Sequence, residues 1–142
     1  MSLLTPSIVS NSLQVLVASS SAYRRGWYLE QLPRYGVDVE VADDGLECIQ
    51  KMRTLRPSVV LLEPVLLWGG SSGVLAVRSE EPDLLNIPVV VIAIEGVSVE
   101  CFQLSHYLIQ NLLVRRSSGQ KLTAVLYAAA RQPCGEHAWH EN

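Results

Sequence analysis

The sequence predicts one α/β domain in which a doubly wound parallel sheet of five strands carries helices on both faces. Short apolar runs alternate with stretches of helical periodicity, and two of these runs are apolar almost throughout, as in strands covered on both faces. Strands that alternate with helices are joined by right-handed crossovers, which make the sheet parallel. A chain of 142 residues that is 49% hydrophobic and 18% charged is long and apolar enough for one such core.

Each predicted strand is an apolar run bounded by polar residues or turn formers. The second alternates valine with acidic residues, as in a half-covered edge strand, whereas the third and fourth are nearly continuous apolar runs typical of central strands. The last run is the weakest. The five predicted strands are Leu13–Ala18, Val37–Ala42, Ser58–Glu63, Ile87–Ile94 and Leu112–Val114.

Helical periodicity fills the intervals between these strands. The predicted helices cover Ala22–Tyr35, Gly45–Leu55, Gly73–Ser79, Val99–Gln110 and Ser118–Arg131. Gly26 and Pro33 weaken the first helix, and Asp43 or Asp44 is available to cap the second. The resulting division is an N-terminal segment (1–12), one domain (13–131) and a C-terminal tail (132–142), for which we expect a floppy segment or a helix extension.

Composition excludes several classes of protein. The longest apolar runs are far below the roughly 18 residues of a membrane span, and the N-terminus lacks the pattern of a signal peptide. Three widely spaced cysteines argue against a disulfide framework and indicate a reducing cytoplasm. A net charge of −3 gives no electrostatic support for nucleic-acid binding. We therefore expect a cytoplasmic protein with neither a nucleic acid nor a membrane as partner.

Local phrases along the chain then indicate a family. The runs LQVLVASSSAYRR, YGVDVEVADDGLECIQKMRTLRPSVVLLE and EEPDLLNIPVVVIA resemble the receiver domain of bacterial response regulators, the CheY-like superfamily, and the match extends from Leu13 to Arg131. The resemblance implies a flavodoxin-like fold with strand order 2-1-3-4-5 and a place in two-component (phosphorelay) signal transduction. Receivers accept a phosphoryl group on an aspartate after the third strand, with Mg²⁺ held by two acids after the first.

This sequence departs from the receiver pattern at each functional position. Ser19 and Ser20 replace the acidic pair, and hydroxyls are weak ligands for Mg²⁺. Glu63 replaces the phosphoacceptor aspartate, Ala93 replaces the Ser or Thr after the fourth strand, and Arg115 replaces the lysine after the fifth. The resemblance therefore implies a degenerate pseudo-receiver that is not an enzyme, with no catalytic residue, no metal and no cofactor.

Glu63 and Arg115 keep the charge of the residues that they replace. One hypothesis is that the two side chains form an ion pair that holds a single conformation. The alternative is that Glu63 is a half-buried acid at a strand end, satisfied by backbone N–H groups.

Two apolar segments are candidate interfaces. Trp68, in the loop after the third strand, either folds back over the pocket or contacts a partner. The segment Val99–Val114 holds more apolar residues than one buried helix face needs. We expect a homodimer through this helix, the fifth strand and the last helix; the alternative is a helix buried within one chain. The interface candidates are Phe102, Tyr107, Leu108, Leu112 and Trp68.

These observations favour a non-catalytic, phosphorylation-independent signalling module that binds a sensor kinase, an output protein or a second copy of itself. Two alternatives stay open. One is a phosphoacceptor response regulator that uses Glu63, and the other is a flavodoxin-like domain that binds a small anion or nucleotide through hydroxyls at Ser19–Ser21 and Ser71–Ser72. The tail residues Cys134, His137 and His140 have metal-ligand chemistry but lack an anchored fourth ligand, so we expect no zinc site.

Overall fold

The computed structural model describes residues 12–68, 70–92 and 118–131 and, as backbone strands, residues 111–113 and 138–140. The strands are β1 (Leu13–Ala18), β2 (Val37–Ala42), β3 (Val59–Leu62), β4 (Val89–Ile92), β5 (Asn111–Leu113) and β6 (Ala138–His140). The helices are α1 (Ala22–Gln31), α2 (Gly45–Leu55), α3 (Gly70–Glu80), the short α4 (Pro82–Leu85) and α5 (Gly119–Arg131). None of the helices in these ranges is long and apolar enough to cross a membrane.

All the strands join one parallel sheet in the order β2-β1-β3-β4-β5-β6. The order of the first four strands is the expected one, 2-1-3-4. The chain moves from β1 to β2 on one side and then returns to place β3 on the other, so the topological switch point lies between β1 and β3. Ligands of doubly wound sheets bind at the carboxyl ends of the strands beside such a point. Here Ala18 lies opposite both Ala42 and Leu62.

The sheet continues past the strands that the sequence predicted. β6 pairs in parallel with β5, with Leu112 opposite Trp139, and α5 connects the two strands. The prediction of a floppy tail or a helix extension over 132–142 is therefore wrong at these three residues, and the described sheet has six strands instead of five. A strand of three residues is too short to produce a hydrophobic pattern that differs from loop sequence.

Helices cover both faces, and each face has its own core. On one face, Cys48 and Met52 of α2, Val74 and Leu75 of α3 and Leu84 of α4 pack on the sheet. On the other face, Tyr28 and Leu32 pack beside Leu122 and Leu126 of α5. Successive residues of β1 alternate between these two cores, as pleated strands require.

Two helix boundaries differ from the predicted ones. The first helix ends at Gln31, and Leu32–Tyr35 tightens into a 3₁₀ turn because Pro33 has no N–H with which to continue the α-helical ladder. Gly36, at φ 81°, then closes the turn in the left-handed region. The third helix begins three residues earlier than expected, at Gly70, and α4 follows it without having been predicted. The predicted helix Val99–Gln110 lies outside the described residues.

Candidate functional site

The residues that follow β1 and β3 come together at the switch point. The backbone N–H of Ser19 donates to the Ala42 carbonyl at 3.0 Å, and that of Glu63 donates to the Ala18 carbonyl at 3.1 Å. Both residues thus extend the sheet by one step beyond its strands, and both are fully buried. This crevice is where the sequence predicted a functional site.

The Glu63 carboxylate is bound by two side chains of α1. The Nε of Arg24 donates to both carboxylate oxygens, at 3.1 and 3.0 Å, and the Tyr28 hydroxyl donates to Oε2 at 2.8 Å. A buried carboxylate is costly without a compensating charge and hydrogen bonds, and Arg24 and Tyr28 supply both. The acid at the end of β3 is therefore already occupied by donors from within the chain.

Tyr28 acts only as a donor in this arrangement. Its ring is buried and packs edge-on against Trp27, with centroids 5.4 Å apart. Burial, together with the neighbouring Glu63 carboxylate, raises the pKa of Tyr28 far above its usual range. The hydroxyl therefore keeps its proton at any physiological pH and remains bonded to Glu63.

The serines after β1 form the turn that leads into α1 and thereby position Arg24 near Glu63. The Ser19 hydroxyl accepts from the Ser21 N–H at 3.2 Å, and the Ser21 hydroxyl caps the helix by accepting from the Arg24 N–H at 3.1 Å. Arg24 and Tyr28 are four residues apart, so they lie on one face of α1 and reach the same carboxylate. Arg25 reaches back to the Ser19 carbonyl at 2.8 Å. These hydroxyls have structural partners, which explains why serines stand here.

The structure settles part of what the sequence left open for Glu63. The alternative of a half-buried acid satisfied by backbone N–H groups is wrong, because Glu63 is fully buried and its described partners are side chains. Arg115 and Ala93 lie outside the described residues, so the Glu63–Arg115 pair stays a prediction. The sequence analysis identified neither Arg24 nor Tyr28 as a partner of Glu63. The feature of the sequence that could have identified them is their spacing of four residues in the helix that directly follows β1.

The described residues form no cluster of metal ligands, and Cys48, their described cysteine, is not an activated nucleophile. No cluster of three or more His, Cys, Asp or Glu side chains within the described ranges could hold a metal ion. Ser20 is exposed, and its hydroxyl donates to the Val65 carbonyl at 3.3 Å. Burial raises the pKa of the Cys48 thiol to about 12, so this cysteine is unreactive at neutral pH.

The loop after β3 displays apolar side chains beside the crevice. Trp68 is 68% exposed, so the alternative in which it folds back over the pocket is wrong, and its contact with a partner stays a prediction. Ser71, one of the hydroxyls considered for binding a small anion or nucleotide, is buried, and its hydroxyl has no hydrogen-bond partner among the described residues. The other interface candidates, Phe102, Tyr107, Leu108 and the Leu112 side chain, lie outside the described residues, as do Cys134, His137 and the His140 side chain.

Comparison with known proteins gives matches by structure only. No protein-family model matches the chain, and no curated protein matches it significantly. Among solved structures, the chemotaxis protein CheY4 of Vibrio cholerae has a TM-score of 0.73 at 18% identity, with 83% of this chain and 98% of that chain covered. The receiver domain of the sensor histidine kinase PA1611 from Pseudomonas aeruginosa PAO1, which holds a magnesium ion in its active-site cleft, has a TM-score of 0.76 at 11% identity, covering 85% and 99%.

A third match is the response regulator domain of Thermotoga maritima CheB, with a TM-score of 0.70 at 17% identity over 85% of this chain and 98% of that one. Each of these proteins is matched over nearly its full length, although fewer than one residue in five is identical. Together with the strand order β2-β1-β3-β4 and helices on both faces of the sheet, these matches show that the chain has the fold of response regulator receiver domains.

Proposed function

We propose that this chain is a receiver-like signalling module that acts through protein–protein contacts and does not accept a phosphoryl group. One observation carries the proposal: the fully buried Glu63 carboxylate, at the end of β3, is bound on both oxygens by Arg24 and on one by Tyr28. Phosphoryl transfer to a carboxylate requires an exposed oxygen and a cation that neutralises the incoming phosphate. The fully buried Glu63 carboxylate has no exposed oxygen, and the cation described beside it, Arg24, already neutralises the charge of the carboxylate itself.

Arg24 takes the charge-neutralising place that a metal ion would occupy at this carboxylate. The guanidinium is a covalent part of the chain, so the pair with Glu63 forms without a bound Mg²⁺ ion. The contact also ties α1 to the end of β3. These features support a module held in one state, whose signalling is independent of phosphorylation.

The proposal extends to the setting of the module. It is not an enzyme, it works in the cytoplasm in a two-component pathway, and its partner is a sensor kinase, an output protein or a second copy. The apolar excess over Val99–Val114 supports a homodimer through that face. Sedimentation should then show a dimer that Tyr107→Glu or Leu108→Glu dissociates without unfolding the domain. A monomer at high concentration would contradict the homodimer.

Phosphodonor chemistry tests the central claim. The full chain is incubated with acetyl phosphate and Mg²⁺, beside an active receiver as the positive control, and both are measured by intact-protein mass spectrometry. We expect the control to gain a phosphoryl group and this chain to gain none. A mass gain that is absent in Glu63→Gln would overturn the proposal and establish Glu63 as a phosphoacceptor.

A further inference from the structure

Four exposed apolar side chains form a corner beside the crevice. Leu46 is the second residue of α2, and Val65, Leu67 and Trp68 belong to the loop after β3; their exposed fractions are 62%, 48%, 67% and 68%. The two segments touch through their backbones, since the Gly45 N–H donates to the Leu67 carbonyl at 2.9 Å. We call these four residues the apolar corner.

The loop is held in a conformation that is unfavourable for its own sequence. Trp68 has a φ of 62°, in the left-handed region that bulky residues rarely adopt. Its carbonyl oxygen lies 2.4 Å from the place that a Cβ on Gly45 would occupy, so only glycine permits this approach. Strain of this kind persists where the surroundings fix it, and it concentrates at functional surfaces.

The side chains of the apolar corner are exposed although the hydrophobic core lies directly beside them. Leu66, between the two exposed residues Val65 and Leu67, is only 7% exposed and belongs to the core beneath α2 and α3. The loop thus buries one leucine and turns the neighbouring side chains outward. Several large apolar side chains that are exposed on two touching segments of a small domain favour an interaction site.

The border of the corner on the side of α2 is acidic. It holds four carboxylates, those of Glu40, Asp43, Asp44 and Glu47. Lys51 is a described lysine among them, and its Nζ lies 2.8 Å from Glu40 and 3.2 Å from Glu47. Of the nearby arginines, Arg24 is paired with Glu63, whereas Arg25 donates to the neutral Ser19 carbonyl and keeps its positive charge close to Asp43. Four carboxylates thus face two cations, Lys51 and Arg25. This border therefore retains a negative excess that favours a basic partner.

We propose that the apolar corner binds an amphipathic helical segment of another protein. Its apolar side chains would cover Leu46, Leu67 and Trp68, while its lysines or arginines would face Asp43, Asp44 and Glu47. Helices of this kind dock by a few apolar anchors, which fits a surface of four side chains. A stable dimer instead needs roughly 20–30 residues on each side. The inference rests on the proposed function and names the surface that would carry it.

Designed peptides probe this surface directly. An 18-residue leucine–lysine peptide with helical spacing, a leucine–glutamate twin and a scrambled leucine–lysine peptide are titrated into the ¹⁵N-labelled full chain. We expect saturable shifts at Leu46, Leu67 and the Trp68 indole with the first peptide only. The double variant Leu46→Gln/Trp68→Ser should bind at least about tenfold more weakly, because it loses two apolar anchors.

Leu55→Gln is the matched control, since Leu55 is exposed by 46% at the opposite end of the same helix. This variant should bind the peptide like the unchanged chain. Equal binding of the glutamate twin, shifts elsewhere on the domain, or undiminished binding by the double variant would overturn the proposal. Concentration-dependent self-association that the double variant abolishes would assign the corner to a second copy instead. Peptide binding is independent of phosphoryl uptake, so the two proposals can fail separately.

Discussion

The Glu63 carboxylate has no contact with solvent, and two side chains of α1 compensate for its lost hydration with a charge and hydrogen bonds. Arg24 is partly exposed, with 39% of its side chain accessible, whereas Glu63 and Tyr28 lie beneath it. The guanidinium therefore bridges solvent and interior. Because buried charges depend on their partners, single substitutions at this site should have large and interdependent effects.

Arg24→Met should lower the free energy of unfolding by about 2–4 kcal/mol. Breaking a fully buried pair by removing one partner loses roughly 3–5 kcal/mol, and the exposure of Arg24 reduces this value. Urea unfolding measures the change. Arg34→Met is the matched control: Arg34 forms an exposed pair with Glu30, and its loss should change stability by at most about 0.5 kcal/mol.

The double variant Arg24→Met/Glu63→Met distinguishes the ion pair from simple packing. With both charges removed, no unpaired carboxylate stays buried, so the double variant should be more stable than Arg24→Met alone. Additive losses would show that the two side chains do not depend on each other. That result would also remove the main support for the proposed function.

Tyr28→Phe should destabilise the domain by about 1.5–3 kcal/mol at neutral pH, since it removes a hydrogen bond to a charged group. The difference should then shrink above about pH 10, the usual pKa of tyrosine in an unfolded chain. Because the folded pKa of Tyr28 is raised, the unfolded chain ionises first, and the stabilising effect of the hydroxyl is lost as the pH rises. Urea titrations of both proteins between about pH 9 and 11 measure this; a constant difference would contradict it.

Among structural elements, α2 and the loop after β3 are in very close contact at Gly45. Of the described glycines, Gly45 has the shortest distance between its Cβ position and a backbone atom of another element. Gly45 stands at the first position of α2, directly after the Asp44 cap, and the Trp68 carbonyl leaves no space for a side chain there. The helix start and the loop therefore fix each other. This contact also presents the apolar corner.

Gly45→Ala should lower the free energy of unfolding by about 1–3 kcal/mol, because the added methyl group must displace backbone. Gly26→Ala is the opposite case: Gly26 lies inside α1 with nothing near its absent Cβ, and alanine should stabilise by about 0.5–1 kcal/mol. Urea midpoints of the two variants should thus move in opposite directions. A loss of stability in both would indicate that helix propensity and steric space are not the deciding factors.

Elements with strong patterns were predictable, and weak or short ones were not. β1, β2 and α2 match their predicted bounds, since regular apolar spacing and the polar residues at their ends define them. Pro33 weakens the predicted first helix, but the sequence pattern does not indicate that the helix ends before it, at Gln31. α4 and β6 have four and three residues, too few for a periodicity to be visible.

For the molecule as a whole, millimolar Mg²⁺ should leave thermal stability unchanged relative to NaCl of equal ionic strength. A ligand that binds only the folded state raises the midpoint, and Glu63 is inaccessible to this ion because the carboxylate is fully buried and already paired with Arg24. Differential scanning calorimetry of the full chain measures the midpoint. A saturable rise with Mg²⁺ that disappears in Glu63→Gln would contradict the prediction.

The sequence by itself determined the alternation of strands with helices, the helices on both faces and the position of the candidate site at the strand ends. Alternating hydrophobic periods and turn residues are local properties, and they suffice to define these features. The order of β1 to β4 was implied only by the resemblance to receiver domains, because local periodicity does not specify which strands are neighbours. The sequence also identified Ser19, Ser20 and Glu63 as departures from an active receiver. For Glu63 it left two alternatives open, an ion pair with Arg115 and a half-buried acid satisfied by backbone N–H groups.

Only the tertiary structure decided that Arg24 and Tyr28 bind Glu63, across 39 and 35 residues of chain. It also decided that Trp68 stands outward, held by a glycine from another element. Such contacts depend on how α1 and α2 pack against the sheet. Side-chain partners over long sequence separations follow from that packing and leave no periodic trace in the chain, so no pattern within either segment could have specified them.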